Sequence, residues 1–287
     1  MKSSIALIGN PVSGRSSKRL LREIFLLIKS SVPSTKLFIT EKPGDAERLL
    51  REALSLQPDL IVSAGGDGTC NEIINVIAGS SLPMAVIPLG TSNVLALELK
   101  IPFNLKDAVS KALTGTAHRV SLGHVQCEGK SRYFSLMAGV GYDANAVYGR
   151  GKRLSGKTAY IFSGIKKLFS WSPDELSIVV DGNPFRGYSL IVSNLSRYGG
   201  DFRIAPDADI KKPVLYAFIM HGKRKLDILR YATGIMRGRH LKLKDITYMP
   251  ATYIDIKGFA RIQVDGDYIG RTPAVIEAMP DSLSLVY

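Results

Sequence analysis

Gly65-Gly66-Asp67-Gly68-Thr69 is the stretch of this chain whose residue types are best suited to chemistry. Three glycines in four positions cost backbone entropy that an ordinary turn does not demand, and they let the main chain approach a ligand closely. Thr69 and Glu72 have the spacing of a capping box, which predicts a helix starting just after the glycines. The amides and positive end of that helix would then face whatever the loop holds, as in phosphate sites. Asp67 lies inside this cradle. A carboxylate repels a bare phosphate but suits a nucleotide whose charge Mg²⁺ partly neutralises, which makes Asp67 the candidate metal-placing residue. Asn71 and Asn75 share the face of the following helix and could reach the same ligand.

Two other loops have a similar build: Asn10-Pro11-Val12-Ser13-Gly14, and Pro88-Leu89-Gly90-Thr91-Ser92-Asn93. Each follows a short apolar run and opens a helical pattern, and Thr40 ends a further strand. Alone, each is a common strand-to-helix turn. Together, in a parallel sheet, they converge on one crevice at the carboxyl ends of the strands. In the second half, Asp265 and Asp267 flank Gly266. In a turn both carboxylates can face solvent and act as a general base, but Asp-Gly is first of all a hairpin pair. Asp181-Gly182 repeats the pair with no chemistry attached. Gly151-Lys152-Arg153-Leu154-Ser155-Gly156-Lys157-Thr158 matches a P-loop pattern formally, yet no aliphatic strand precedes it, as a P-loop requires. The four histidines are scattered, without metal-ligand spacing.

The elements that must position these loops alternate in the first 120 residues. Apolar runs at 5–8, 36–40, 60–63 and 84–87 read as strands. Between them lie helical patterns at 17–29, after Asp45 as a cap, and after Asn104, which with Asp107 makes a capping box for a helix ending near Gly115. This predicts an α/β domain with a parallel sheet. Beyond it, β-rich runs at 176–180, 188–193, 254–256 and 261–264 with Asp-Gly punctuation predict a mainly antiparallel domain, interrupted by helices near 157–169 and 226–236. The expected division is 1–122 and 123–287, leaving open a return of the C-terminal strand to the first domain.

Two cysteines in 287 residues argue against a disulfide framework. The N-terminal apolar run is too short for a signal peptide, and no stretch reaches the roughly 18 apolar residues of a spanning helix. The expectation is a cytoplasmic protein, peripheral to the inner face of a membrane. Of the net charge of +13, +9 falls on residues 123–287, mostly in 149–170 and 221–244. Such clusters attract phosphates, those of an anionic membrane surface included. Nucleic acid is not expected, because neither segment shows a recognised fold motif; oligomeric state, self-association included, is left open.

The loops carry a resemblance. N-P-x-S-G at Asn10–Gly14, G-G-D-G-T-x-N-E at Gly65–Glu72 and P-L-G-T-x-N at Pro88–Asn93 resemble the bacterial diacylglycerol kinase and sphingosine kinase family of lipid kinases. Later stretches, GVGYDA at 139–144, YGGDFRIAP at 198–206 and VDGD at 264–267, are similar to that family's later landmarks. The resemblance implies a phosphofructokinase-like and NAD-kinase-like α/β domain followed by a β-sandwich, with ATP and Mg²⁺ bound between them. It implies transfer of the γ-phosphate to the hydroxyl of a lipid such as diacylglycerol. It implies nucleotide contacts at Asn10, Pro11, Ser13, Gly14, Thr40, Gly65, Gly66, Asp67, Gly68, Thr69, Asn71 and Thr91, and a general base at Asp267, where the family has Glu. Three family carboxylates are replaced, by Val94, Ser121 and Lys212; this puts a structural Mg²⁺ site in question but leaves the loops untouched. The rivals are an NAD kinase, which shares the G-G-D-G-T loop but not Gly90–Asn93, and a regulatory protein that binds nucleotide and lipid without turnover.

Overall fold

Continuous apolar runs become central strands here because both faces of the sheet they form are covered. In a computed structural model, which describes residues 3–148, 173–198 and 202–287, β1 (Ser4–Gly9), β3 (Leu60–Gly65) and β4 (Pro83–Pro88) are almost wholly buried. β2 (Ser34–Ile39) lies at the edge and is half exposed. The order is β2-β1-β3-β4, all parallel, extended by residues 284–286 at the end of the chain, which pair parallel with β4. These residues belong to one of two compact units, Met1–Val120 with Asp281–Tyr287; the other is Ser121–Pro280.

The helices of the first unit are α1 (Lys18–Ser31), α2 (Asp45–Leu54), α3 (Asp67–Ile77), the short α4 (Val94–Glu98) and α5 (Leu105–Thr114). Ser17 caps α1, and Asn104 caps α5 through the amides of Lys106 and Asp107, which is one half of the capping box that the sequence predicts. Two expected caps are different. Asp45 is the first residue of α2, not its cap; its carboxylate accepts from the amides of Glu41 and Lys42 and ties down the incoming loop. Glu72 does not close a box with Thr69. It reaches α2, accepting from Gly44 N at 2.8 Å and Ala46 N at 2.9 Å. The reason is that Gly66, in an extended conformation, already occupies the cap position, so α3 starts at Asp67 and Thr69 falls within its first turn.

In the second unit β5 (Ala117–Cys127), β6 (Lys130–Phe134), β8 (Leu176–Val180), β9 (Asn183–Gly187), β13 (Tyr253–Lys257) and the first part of β16 (Ala274–Val286) form one antiparallel array. The facing sheet runs β12 (Ile246–Ala251), β11 (Leu215–Met220), β10 (Ser189–Ser193), β7 (Met137–Val140), β14 (Arg261–Val264), β15 (Asp267–Arg271). A continuous core between them, including Phe134, Val140, Ile178, Val192, Ile254 and Ile262, makes this a β-sandwich. Among the described residues two α-helices accompany it, α6 (Tyr142–Val147) and α7 (Lys225–Met236); α7 buries Ile228 and Tyr231 over the outer face of β10 and β11. The expected helix near 157–169, the P-loop-like stretch and the basic cluster at 149–170 lie outside the described residues. Among the described residues no helix is long and apolar enough to cross a membrane.

Candidate functional site

The three glycine loops of the first unit meet. Asn10 N donates to Ala64 O at 3.0 Å, Arg15 N to Leu89 O at 2.9 Å, Leu89 N to Gly65 O at 2.9 Å, and Thr40 N to Gly9 O at 2.9 Å. Asn10 also bonds Thr69 Oγ1 through its side-chain amide, and its Oδ1 accepts from Val12 N, which closes the first loop on itself. Parallel strands produce this convergence, because all four loops leave the same end of the sheet. Asn93 staples the third loop: its Oδ1 accepts from Gly90 N and its Nδ2 donates to Gly90 O, both at 2.8 Å. Pro11 and Ser13 are half exposed, Thr91 is exposed, and Thr40 and Asn71 are buried.

Most of the glycines are required by this packing. A Cβ on Gly90 would stand 2.6 Å from Gly66 Cα, one on Gly66 2.9 Å from Ser13 Oγ, and one on Gly14 2.5 Å from Leu89 O. Gly65 has no room beside Thr69. Gly68 is the exception. It is exposed at the start of α3, a Cβ added to it would meet nothing within 4 Å, and it does not need a positive φ.

Asp67 anchors the third loop. Its carboxylate accepts from Val94 N at 3.0 Å and Leu95 N at 3.2 Å, the first amides of α4. Burial pushes its carboxyl above the usual carboxylate range, and the two amide bonds only partly offset that. A carboxylate packed against neutral backbone gains from a cation beside it, so the donor chemistry fits a divalent ion that takes its remaining ligands from phosphate and water. Among the described residues, no three His, Cys, Asp or Glu side chains gather as a metal-ligand cluster.

On the second unit, Asp265 and Gly266 form the turn between β14 and β15, at φ +48° and +94°. The sequence expectation that both carboxylates face solvent holds for one. Asp265 turns inward and accepts from Ser135 N, Leu136 N and Met137 N at 2.9–3.0 Å, and from Ser135 Oγ. The carboxylate thus gathers three consecutive amides at the start of β7. Asp267 projects outward, its side chain 65% exposed, with the Arg132 guanidinium 3.9 Å away.

Residues 4–125 match the family model described as the diacylglycerol kinase catalytic domain, and residues 135–287 match the YegS C-terminal NAD kinase beta sandwich-like domain. The chain is 31% identical over 278 residues to a diacylglycerol kinase of Bacillus subtilis (strain 168), spanning 93% of this chain and 90% of that one. The chain belongs to the diacylglycerol kinase family. A diacylglycerol kinase of Staphylococcus aureus (strain MRSA252) is 30% identical over 284 residues, spanning 96% and 89%. The solved structure of a diacylglycerol kinase from Bacillus anthracis (strain Sterne) shares the fold, with a TM-score of 0.74 at 21% identity over 100% of this chain and 97% of that one.

The structure shows the setting of the three positions at which the sequence departs from the resemblance. At 94 the main chain makes the contact, Val94 N to Asp67, while the side chain is buried. Ser121 is buried too, its carbonyl accepting from Asn194 Nδ2 at 3.0 Å. Lys212 is exposed in the turn before β11. Two contributors have no local signature: the reach of Glu72 to α2, 26–28 residues away, and the bond of Gln263 to Asp143, 120 residues away. Only the fold brings these groups near.

Proposed function

We propose that this chain is an ATP-dependent lipid kinase that transfers the γ-phosphate of ATP to the hydroxyl of a lipid such as diacylglycerol. Relatives named diacylglycerol kinase support a kinase activity. The observation that carries the nucleotide reading is Gly68. Glycine inside a helix costs up to about 1 kcal/mol against alanine, less in the first turn, and no neighbour of Gly68 demands it. An external ligand pressed against the first turn of α3 explains it, and with amides from three loops nearby that ligand is a phosphate chain.

In this reading Asn10, Ser13, Gly14, Gly66, Gly68 and Thr91 cradle the nucleotide, Thr40 and Asn71 shape the floor, and Asp67 holds Mg²⁺. When bound, Mg²⁺ neutralises charge on the phosphate oxygens. Asp267 accepts the proton of the lipid hydroxyl as its oxygen bonds to the γ-phosphorus; the bond to the β-phosphate oxygen breaks, and ADP leaves. The basic excess of 221–244 seats the protein on an anionic membrane surface. Leu226, Leu229 and Met236 support this, exposed on α7 away from the buried Ile228 and Tyr231.

The test is radiolabelled ATP with purified protein and lipid extracts. Label in the lipid phase is expected; its absence with every lipid alcohol, alongside ATP binding, would leave a binding protein instead. Gly68→Ala tests the cradle: it should weaken the Mg-ATP-induced rise in Tm while leaving the ligand-free Tm equal or higher. Gly66→Val is a poorer probe, since its Cβ meets Ser13 and Gly90 even without ligand. For the membrane contact, Leu226→Glu with Leu229→Glu should reduce binding to anionic vesicles without touching ATP binding. Equal binding to neutral and anionic vesicles by the unmodified chain overturns that part.

A further inference from the structure

The hairpin that carries Asp267 is tied to a buried carboxylate by one side chain. Gln263 is 2% exposed, in the middle of β14. Its Oε1 accepts from Gly266 N at 2.8 Å, and its Nε2 donates to Asp143 Oδ2 at 2.6 Å. Asp143, 3% exposed, sits in the first turn of α6, and its other oxygen accepts from the Tyr198 hydroxyl. The helix start is fixed in turn: Gly141 N donates to Arg261 O at 3.0 Å and Tyr142 N to Ser189 Oγ at 3.2 Å.

Gly139 completes the arrangement. A Cβ there would collide with the Asp143 carboxylate and stand 2.8 Å from Gln263 Nε2. The strand is therefore bare where the carboxylate and the amide must meet. The β14–β15 ladder also breaks register beside Gln263, pairing it with Tyr268 while Ile262 pairs with Gly270. Such irregularities re-aim side chains next to functional sites. A core position of this sandwich could have taken an aliphatic residue; a buried amide is favourable only with both ends bonded, as they are here.

We propose that Gln263 is a positioning residue: it passes the fixed orientation of Asp143 to the Gly266 amide and so sets the direction in which Asp267 leaves the turn. Asp265 clamps the turn from one side and Gln263 from the other. Of the two carboxylates of Asp265-Gly266-Asp267, that of Asp265 is held by backbone amides, while that of Asp267, after the turn, faces solvent with the Arg132 guanidinium 3.9 Å away. This inference rests on the reading of Asp267 as the base.

The experiment uses the full chain, with Asp267→Asn, Gln263→Met and Gln263→Glu assayed for lipid phosphorylation. Gln263→Met keeps the volume and removes both bonds. It should lower kcat by up to about 10²-fold, the scale of a misplacement near 1 Å, with KM for ATP unchanged and faster hydrogen exchange at the Gly266 amide. Gln263→Glu puts two carboxylates within hydrogen-bond reach, and such a pair shares one proton at low pH. With that proton present the introduced carboxyl can donate to Asp143 and still accept from Gly266. Taken as a ratio to the unmodified chain at the same pH, the variant's kcat should therefore approach one at low pH and fall as pH rises, a slope that a merely destabilised core would not produce. Normal kcat in Gln263→Met, or a normal pH profile in Gln263→Glu, overturns the inference while a slow Asp267→Asn keeps the base. Normal turnover in Asp267→Asn overturns the base, and the purpose assigned to Gln263 with it.

Discussion

The sandwich contains two Asp-Gly hairpins, one in each sheet. Asp181-Gly182 joins β8 to β9 at φ +46° and +83°, and Asp265-Gly266 joins β14 to β15 at +48° and +94°. Both are the tight turns in which each central residue is left-handed, matching the twist of the strands. Both aspartates do the same work on a neighbouring strand. Asp181 accepts from Thr252 N, Thr252 Oγ1 and Tyr253 N, as Asp265 does from the amides of Ser135, Leu136 and Met137 at the start of β7. The difference lies in the residue after the glycine. Asn183 folds its amide back onto Val180 O and Asp181 O, whereas Asp267 stands out in solvent. An aspartate-glycine pair is thus a way of joining strands and holding a third, and any chemistry belongs to the residue that follows. On that ground the proposed general base is placed in the second hairpin, at Asp267, and its role there is open to test.

The largest expected effect tests that distinction. Asp267→Asn should lower kcat by about 10²–10⁴-fold, the usual worth of a general base, with Mg-ATP affinity, measured separately, unaltered. Asp265→Ala should act on stability instead. It strands backbone amides that the carboxylate now satisfies, at a cost of about 3 kcal/mol read from denaturant unfolding. If Asp265→Ala melted normally and turned over a hundredfold more slowly, the two roles would have to be exchanged. A smaller effect separates the hairpins themselves. Gly182→Ala and Gly266→Ala both put a Cβ into open space at positive φ, costing about 1–2 kcal/mol each. Their unfolding free energies should fall alike, but only Gly266→Ala should change kcat. A matching loss of turnover in Gly182→Ala would mean that global stability, rather than the aim of Asp267, governs the rate.

The two hairpins also show what the residue pattern could and could not reveal. Both turns were legible, because Asp-Gly between apolar runs specifies a local geometry. So were the four parallel strands, three of them buried as continuous apolar runs imply, and α1, expected over 17–29 and found at Lys18–Ser31. The destination of a polar side chain was not legible. Glu72 has the spacing of a cap for its own helix and serves another one 26–28 residues away. Asp67 reads as a ligand of metal and is also the anchor of α4. Gln263 carries no pattern at all, and its partners Asp143 and Gly266 lie 120 and 3 residues off. Gly66 and Gly68 look equivalent as letters; only the packed loops show that one is demanded by its neighbours and the other is not.

The smallest effect concerns the hairpin without chemistry and depends on pH. Burial alone would raise the Asp181 carboxyl, but the Thr252 hydroxyl and the amides of Thr252 and Tyr253 outweigh it and hold the group below the usual carboxylate range. A folded-state pKa below the unfolded one favours the fold whenever the group is ionised. The contribution is therefore complete above the unfolded value of about 3.9 and is lost as pH falls through the lower folded value. Because Asp181 is exposed, solvent screening keeps it to about 1 kcal/mol or less. Asp181→Ala should accordingly be less stable than the unmodified chain by a constant margin between about pH 5 and pH 7, a margin that narrows below about pH 4 as the aspartate takes up its proton. Paired unfolding curves across that range would show it. A margin that stayed the same down to about pH 3 would mean that Asp181 acts through the shape of its turn and not through its charge, and the likeness between the two hairpins would then end at their backbones.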